Sequence, residues 1–252
     1  MEKEVIYYED ELNDEFSGTT IEPRKIDERF KYKKSIIWEF FSSVIQNILS
    51  MPIKLLYLRF KFSHKFIGKE KLKEAKNKGV FIYCNHTQNF ADTFIPSVAI
   101  YPKRNFLIVN PENISVKGTG WLVELLGAIP TPSNIKASKN FLDQIKRRID
   151  KKQAISIYPE AHIWPYYTKI RNFSSVSFRY PVELNVPTFS ITNTYQMEGK
   201  KLKMVSYING PFFADEGLDK KQAIKNLRDK VYNSMVEEAK HSNYEKIIYK
   251  KK

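Results

Sequence analysis

Two short segments hold the residues whose types and spacing suit chemistry. Tyr83–Pro96, YCNHTQNFADTFIP, sets Asn85, His86 and Asp92 close together, with Asp92 its one charged residue apart from the imidazole. A carboxylate that holds one imidazole nitrogen fixes the tautomer and stabilises the imidazolium, so the other nitrogen can take a proton from an alcohol. No Ser or Cys nucleophile is needed if the substrate brings the hydroxyl. Tyr158–Phe173, YPEAHIWPYYTKIRNF, carries Glu160, His162, Lys169 and Arg171, which suit a hydroxyl or a phosphate held beside that base. A second chemistry stays open. His86, Asp92, Glu160 and His162 form an acceptable ligand set for a metal-dependent hydrolase, although nothing in their spacing is diagnostic.

Both segments follow short apolar runs, Val80–Cys84 and Ala154–Tyr158, of the kind that form buried strands. Asn105–Val109, Pro187–Thr192 and Leu202–Ile208 read as further strands. Gly120–Gly127, Asn134–Lys151 and Asp219–Lys240 read as helices between and after them. This alternation predicts an α/β fold: a mixed, mostly parallel sheet flanked by helices, with ligands gathered where strands end. Upstream, Ser35–Leu49 places Ile36, Ile37, Phe40, Phe41, Val44, Ile45 and Ile48 at helical spacing, opposite Glu39, Ser42, Ser43, Gln46 and Asn47. Pro52 is expected to interrupt it before Ile53–Phe62 resumes. Such aromatic, basic segments lie in a membrane interface or pack on a core. No uninterrupted apolar run reaches about 18 residues, so a spanning helix is not expected. The organisation predicted is an acidic arm over 1–34, amphipathic membrane-associating helices over 35–65 and an α/β domain over 66–252, with a frayed tail from Tyr244.

The 252 residues carry 42 bases and 28 acids. Residues 1–22 hold eight acids and one base, and the remainder has a net charge of +21. Such a body attracts an anionic membrane face, an acidic carrier protein or phosphorylated molecules. Nucleic acid is not expected as a partner, because no recognition motif is present and the aromatic residues gather in the apolar helices rather than among the bases. Lys146, Arg147, Arg148, Lys151 and Lys152 read as a solvated helix end, or as a membrane or carrier contact. His64 and His241 lie in basic surroundings, are expected to be exposed and receive no role. The lone Cys84 excludes an internal disulfide.

Four motifs in order over about residues 79 to 192 resemble the glycerophospholipid acyltransferases, the PlsC-like family of lysophosphatidic acid acyltransferases. Asn85, His86 and Asp92 resemble its first block, Leu126–Ser133 (LGAIPTPS) its second, Tyr158, Pro159 and Glu160 its third, and Val186 and Pro187 its fourth. The resemblance implies transfer of a fatty acyl chain from acyl-coenzyme A or acyl-carrier protein to a lysophospholipid or related lipid alcohol. It implies His86 as general base, Asp92 as its orienting partner, direct attack on the thioester, no metal or bound cofactor, and a peripheral enzyme on the cytoplasmic face of a membrane. Asn85, Thr131, Ser133, Glu160, His162, Lys169 and Arg171 are the implied substrate contacts. The sequence departs from the family pattern in three places. The gap from His86 to Asp92 is five residues instead of four, which on a regular helix leaves the side chains roughly 120° apart, so His86 must sit in a loop or an irregular turn. Ser133 replaces an Arg, and Ala161-His162-Ile163 replaces Gly-Thr-Arg. Either Lys103, Arg104, Lys169 or Arg171 restores the lost charge, or the acceptor lacks a phosphate.

Overall fold

A computed structural model describes residues 3–16, 18 and 21–252. In chain order the elements are β1 (Glu4–Tyr8), α1 (Ile36–Val44), α2 (Ser50–Phe62), β2 (Lys65–Ile67), β3 (Val80–Cys84), α3 (Ala91–Ile100), β4 (Asn105–Val109) and α4 (Gly120–Leu125). They continue with β5 (Ala128–Pro130), α5 (Ile135–Asp150), β6 (Ala154–Ile157), α6 (Arg179–Leu184), β7 (Thr188–Glu198), β8 (Lys201–Phe212), α7 (Lys220–Ala239) and β9 (Ile247–Lys251). Seven strands form one sheet in the order β2-β8-β7-β3-β6-β4-β5. Its pairs are parallel except β7 with β8, so the sheet is mixed and mostly parallel, as the alternation of elements predicts.

β3 sits at the centre, and all five of its residues are buried because both faces of the sheet are covered. Phe81 and Tyr83 pack on one side with Phe141, Ile145, Leu227 and Val231 of α5 and α7. Val80, Ile82 and Cys84 pack on the other with Leu58, Ile95 and Val98 of α2 and α3. Local chemistry starts the helices cleanly. The Asn134 side chain accepts from the Ala137 amide at 2.8 Å, and Asp219 and Gln222 form a capping box on α7.

Pro52 does not divide the apolar segment. α1 and α2 form one continuous helix over Ile36–Phe62, 27 residues, long and apolar enough to cross a membrane by length and composition. A proline within a helix lacks an N–H and crowds the carbonyl four residues back. Here a π-turn over Ile45–Leu49 widens the helix just before Pro52. The same turn keeps one stripe in phase: Ser42, Gln46, Met51, Lys54, Leu58 and Phe62 are buried, with a step of five from the second to the third.

The polar side of α1 is the side that meets the protein. Glu39 pairs with Arg148 at 2.6 Å and Arg104 at 3.1 Å, and Ser42 donates to the Leu125 carbonyl at 2.6 Å. The apolar side faces outward, with Ile36 88% and Phe60 77% exposed and Ile37, Phe40, Ile48 and Ile53 between them. Arg148, expected on a solvated helix end, is buried against Glu39 and the Phe106 ring. Because the helix is fastened to the body near both ends, it lies along the protein.

The chain ends also depart from expectation. The tail forms β9, which pairs in parallel with β1, Glu4 to Ile247 through Tyr8 to Lys251. The acidic arm is built onto the body. Trp164 Nε1 donates to the Asp14 carbonyl at 2.8 Å, Phe16 N donates to Ile163 O at 3.3 Å, and the Tyr249 hydroxyl donates to Pro165 O at 2.9 Å.

Burial alone pushes the Glu39 carboxyl up, but Arg148 and Arg104 more than offset it and hold it at about 2. That pairing stabilises the fold above the ordinary carboxylate range and is lost as pH falls toward 2. Glu39→Gln is expected to lower unfolding stability by about 3 kcal/mol at neutral pH, because two buried guanidinium groups lose their counter-charge. Urea denaturation at pH 7 and pH 3 checks this: the gap between variant and wild type should narrow at the lower pH.

Candidate active site

β3 ends at Cys84 and β6 at Ile157, neighbouring parallel strands whose following loops carry the two segments of interest. His86 lies in the loop after β3 and Asp92 at the second residue of α3. The loop takes up the five-residue gap, and His86 Nδ1 meets Asp92 Oδ2 at 2.8 Å. The same oxygen accepts from the amides of Thr87 at 2.7 Å and Gln88 at 2.8 Å, while Oδ1 accepts from Asn193 Nδ2 at 3.3 Å. Asp92 is fully buried. Burial raises its carboxyl above the ordinary aspartate range, opposed by His86 and the two amides. The His86 side chain keeps 17% exposure. With Nδ1 committed to Asp92, Nε2 is the nitrogen left for a proton.

Three further contacts hold the imidazole. Its ring packs on Tyr158, centroids 4.4 Å apart. Its backbone amide donates to Glu160 Oε2 at 2.9 Å, and its carbonyl accepts from the Trp164 amide at 3.1 Å. α3 contains Pro96, which removes the amide that would bond the Asp92 carbonyl; the Tyr158 hydroxyl donates to that carbonyl instead. Cys84 is buried and its thiol is pushed up by burial, so it offers no thiolate.

The implied substrate contacts separate into groups. Asn85 is buried and spans β7: its Nδ2 donates to Asn193 O at 3.0 Å, and its Oδ1 accepts from Asn193 N at 2.8 Å. It braces the loop and does not face a substrate. Glu160 is buried as well, and besides His86 N it accepts from Arg171 N at 2.9 Å and pairs with the Arg171 guanidinium at 3.5 Å. Arg171, 1% exposed, also donates to the carbonyls of His162 and Glu11 and lies over the Trp164 ring. That guanidinium is spent inside the protein and is closed to a phosphate. His162 Nδ1 pairs with Glu15 Oε2 at 3.1 Å, so the acidic arm holds it. Lys169 is exposed on the same loop.

Thr131 and Ser133 follow β5, three strands from β3, or about 14 Å away at the usual strand spacing. Thr131 N donates to Val109 O, and Ser133 Oγ accepts from Ile26 N at 2.9 Å. Lys103 and Arg104 precede β4 and lie at the opposite end of the sheet. Lys103 donates to the carbonyls of Lys76, Lys78 and Lys152, and Arg104 pairs with Glu39. The ligand set His86, Asp92, Glu160 and His162 does not converge either: Glu160 turns to Arg171 and His162 to Glu15. Among the described residues no group of three or more His, Cys, Asp or Glu is placed to hold a metal ion. Asn193, Tyr158 and Trp164 carry much of the site's support. Asn193 gives little signal in the sequence, since it lies in a strand already rich in Thr and Ser, TFSITNTYQME.

A buried carboxylate behind a partly exposed imidazole lies at the mouth of a mostly parallel α/β sheet, where such folds gather their ligands. The chain belongs to the acyltransferase family, whose model, described as Acyltransferase, matches residues 63–193. It is an enzyme of acyl transfer. Among solved structures it is similar to the 1-acyl-sn-glycerophosphate (LPA) acyltransferase PlsC from Thermotoga maritima, at 16% identity and a TM-score of 0.48 over 81% of this chain and 94% of that one. No curated protein matches the chain.

Ala161 adopts φ +63° immediately after Glu160, in the left-handed region that costs a Cβ-bearing residue about 1–2 kcal/mol. Ala161→Gly is therefore expected to raise stability by about 0.5–1 kcal/mol, net of glycine's greater unfolded-state entropy. Glu160→Gln leaves Arg171 buried without a counter-charge and should cost about 3 kcal/mol. Thermal melts of the two variants check both directions.

Proposed function

We propose that the protein is a peripheral glycerolipid O-acyltransferase that moves a fatty acyl chain from acyl-coenzyme A or acyl-carrier protein to the hydroxyl of a lysophospholipid or related lipid alcohol. His86 Nε2 takes the proton of the acceptor hydroxyl as its oxygen attacks the thioester carbonyl. Asp92 holds the imidazole and offsets the charge that forms on it. The tetrahedral intermediate then collapses with loss of the thiolate, which receives the proton from His86. The developing oxyanion requires preorganised donors.

The observation that carries the reading is the 2.8 Å contact from His86 Nδ1 to Asp92 Oδ2 on an imidazole that stays partly exposed. Residues 35–65 form the membrane-facing segment and 66–252 the catalytic body. α2 brings the two together, because it packs on α3 through Tyr57 and Phe94, centroids 5.4 Å apart, two residues beyond Asp92. An apolar stripe this continuous on a basic body suits the anionic cytoplasmic face of a bilayer. With Arg171 and His162 occupied, the acceptor's headgroup is recognised without a guanidinium from this loop.

His86→Ala and Asp92→Asn are each expected to cut acyl transfer at least ~10³-fold with the fold intact. Mass spectrometry of lipids after incubation with labelled acyl thioesters and a panel of lysolipids and alcohols reads the rate, and more than a tenth of wild-type turnover in His86→Ala sinks the assignment. Phe60→Glu, at an exposed position, should release the protein from phosphatidylglycerol vesicles in a sedimentation assay. Unchanged binding removes this helix as the anchor.

A further inference from the structure

Behind the dyad a row of buried polar groups crosses the sheet to a second histidine that the proposed mechanism does not use. Asp92 Oδ1 accepts from Asn193 Nδ2 at 3.3 Å, Asn193 Oδ1 accepts from Ser206 Oγ at 2.6 Å, and Ser206 Oγ lies 2.7 Å from His64 Nε2. Asn193 and Ser206 are cross-strand partners on β7 and β8, and Ser206 in turn faces Phe66 of β2. His64 precedes β2, and its ring meets that of Phe66 edge-on at 4.4 Å.

Proton counting sets the direction of this row. Ser206 has one hydroxyl proton, and Asn193 Oδ1 takes it. His64 must then donate to Ser206 through Nε2–H. With the other tautomer Ser206 would donate to His64, the Asn193 amide would lose its donor, and a turned amide would set a carbonyl oxygen against the Asp92 carboxylate. Burial holds His64 down at about 4, so one ring proton is present at neutral pH and its place is decided by these neighbours. The backbone of Asn193, bonded to Asn85, does not depend on its side chain.

We propose that His64, Ser206 and Asn193 form a positioning relay that fixes the Asp92 carboxylate, and through it the tautomer and aim of His86. The proposal rests on the reading of His86 and Asp92 as the catalytic pair. Asn193 and Ser206 are positioning residues and touch no substrate. Removal of such outer partners costs roughly 10- to 100-fold in activity where orientation matters.

The test uses the full chain, oleoyl-coenzyme A and lysophospholipid vesicles, with kcat and KM measured for Asn193→Ala, Ser206→Ala, His64→Leu and His64→Gln. The first three should lose about tenfold or more in kcat with KM within twofold. His64→Gln keeps an N–H donor and should recover most of the loss. In parallel, ¹⁵N NMR of histidine-labelled protein should show the Nδ1–H tautomer of His86 depleted in Ser206→Ala. An unchanged kcat in Ser206→Ala, an effect on KM alone, a His64→Gln variant as impaired as His64→Leu, or an unaltered His86 tautomer overturns the relay. Should Asn193→Ala not fold, Ser206→Ala and the NMR signal decide. Full activity in His86→Ala would instead defeat the dyad reading, and the tautomer measurement would still judge the relay.

Discussion

A carboxylate withdrawn from water at Asp92 has to find its hydrogen bonds within the protein, and the elements around it are arranged to supply them. Two come from the backbone of its own loop, one from the imidazole it holds and one from β7, beside the central strand. Desolvating an ion without partners costs several kcal/mol, so each donor is also a constraint on where a strand or loop can sit. The position of α3 relative to β7 follows from this, as does the irregular path of Asn85 to Phe90. Pro96 is part of the same arrangement, since the carbonyl it leaves unbonded is the one that Tyr158 satisfies.

Around that centre the protein uses its charges internally. Glu160 holds the amides of both His86 and Arg171, so one buried acid ties the loop after β3 to the loop after β6. Arg171 then reaches to the acidic arm through Glu11, and Glu15 of the same arm takes the imidazole of His162. The arm therefore contributes to how the site loop is held, through the Glu15 carboxylate and the backbone carbonyls of Glu11 and Asp14. At the other end of the sheet Glu39 does comparable service for the long helix, where Arg104 and Arg148 would otherwise be buried cations.

Much of this was legible in the residues. Val80–Cys84 and Asn105–Val109 match their strands to the residue, because unbroken apolar runs of this length suit only a doubly covered sheet. The pairing of His86 with Asp92 followed from residue types once the loop was allowed its irregular turn. Amphipathicity told that the helix over 36–62 has two faces but not which one meets the body, since Glu39 and Ser42 look solvent-facing until Arg104, Arg148 and the Leu125 carbonyl are placed beside them. Arg171 looked ready for a phosphate for the same reason: its partner Glu160 could be read as an equal candidate, and only folding puts them together. The β1–β9 pairing joins segments some 240 residues apart, and neither has a strong pattern of its own.

That last pairing has a temporal side. The loop bearing Glu160 and Trp164 is clamped by Tyr249 from β9 and by Asp14 from the arm, so its final shape waits until residue 251 has left the ribosome. The greasy stripe of residues 36 to 62 emerges far earlier. During synthesis the outward apolar face is therefore complete long before the loop bearing Glu160 and Trp164 is locked.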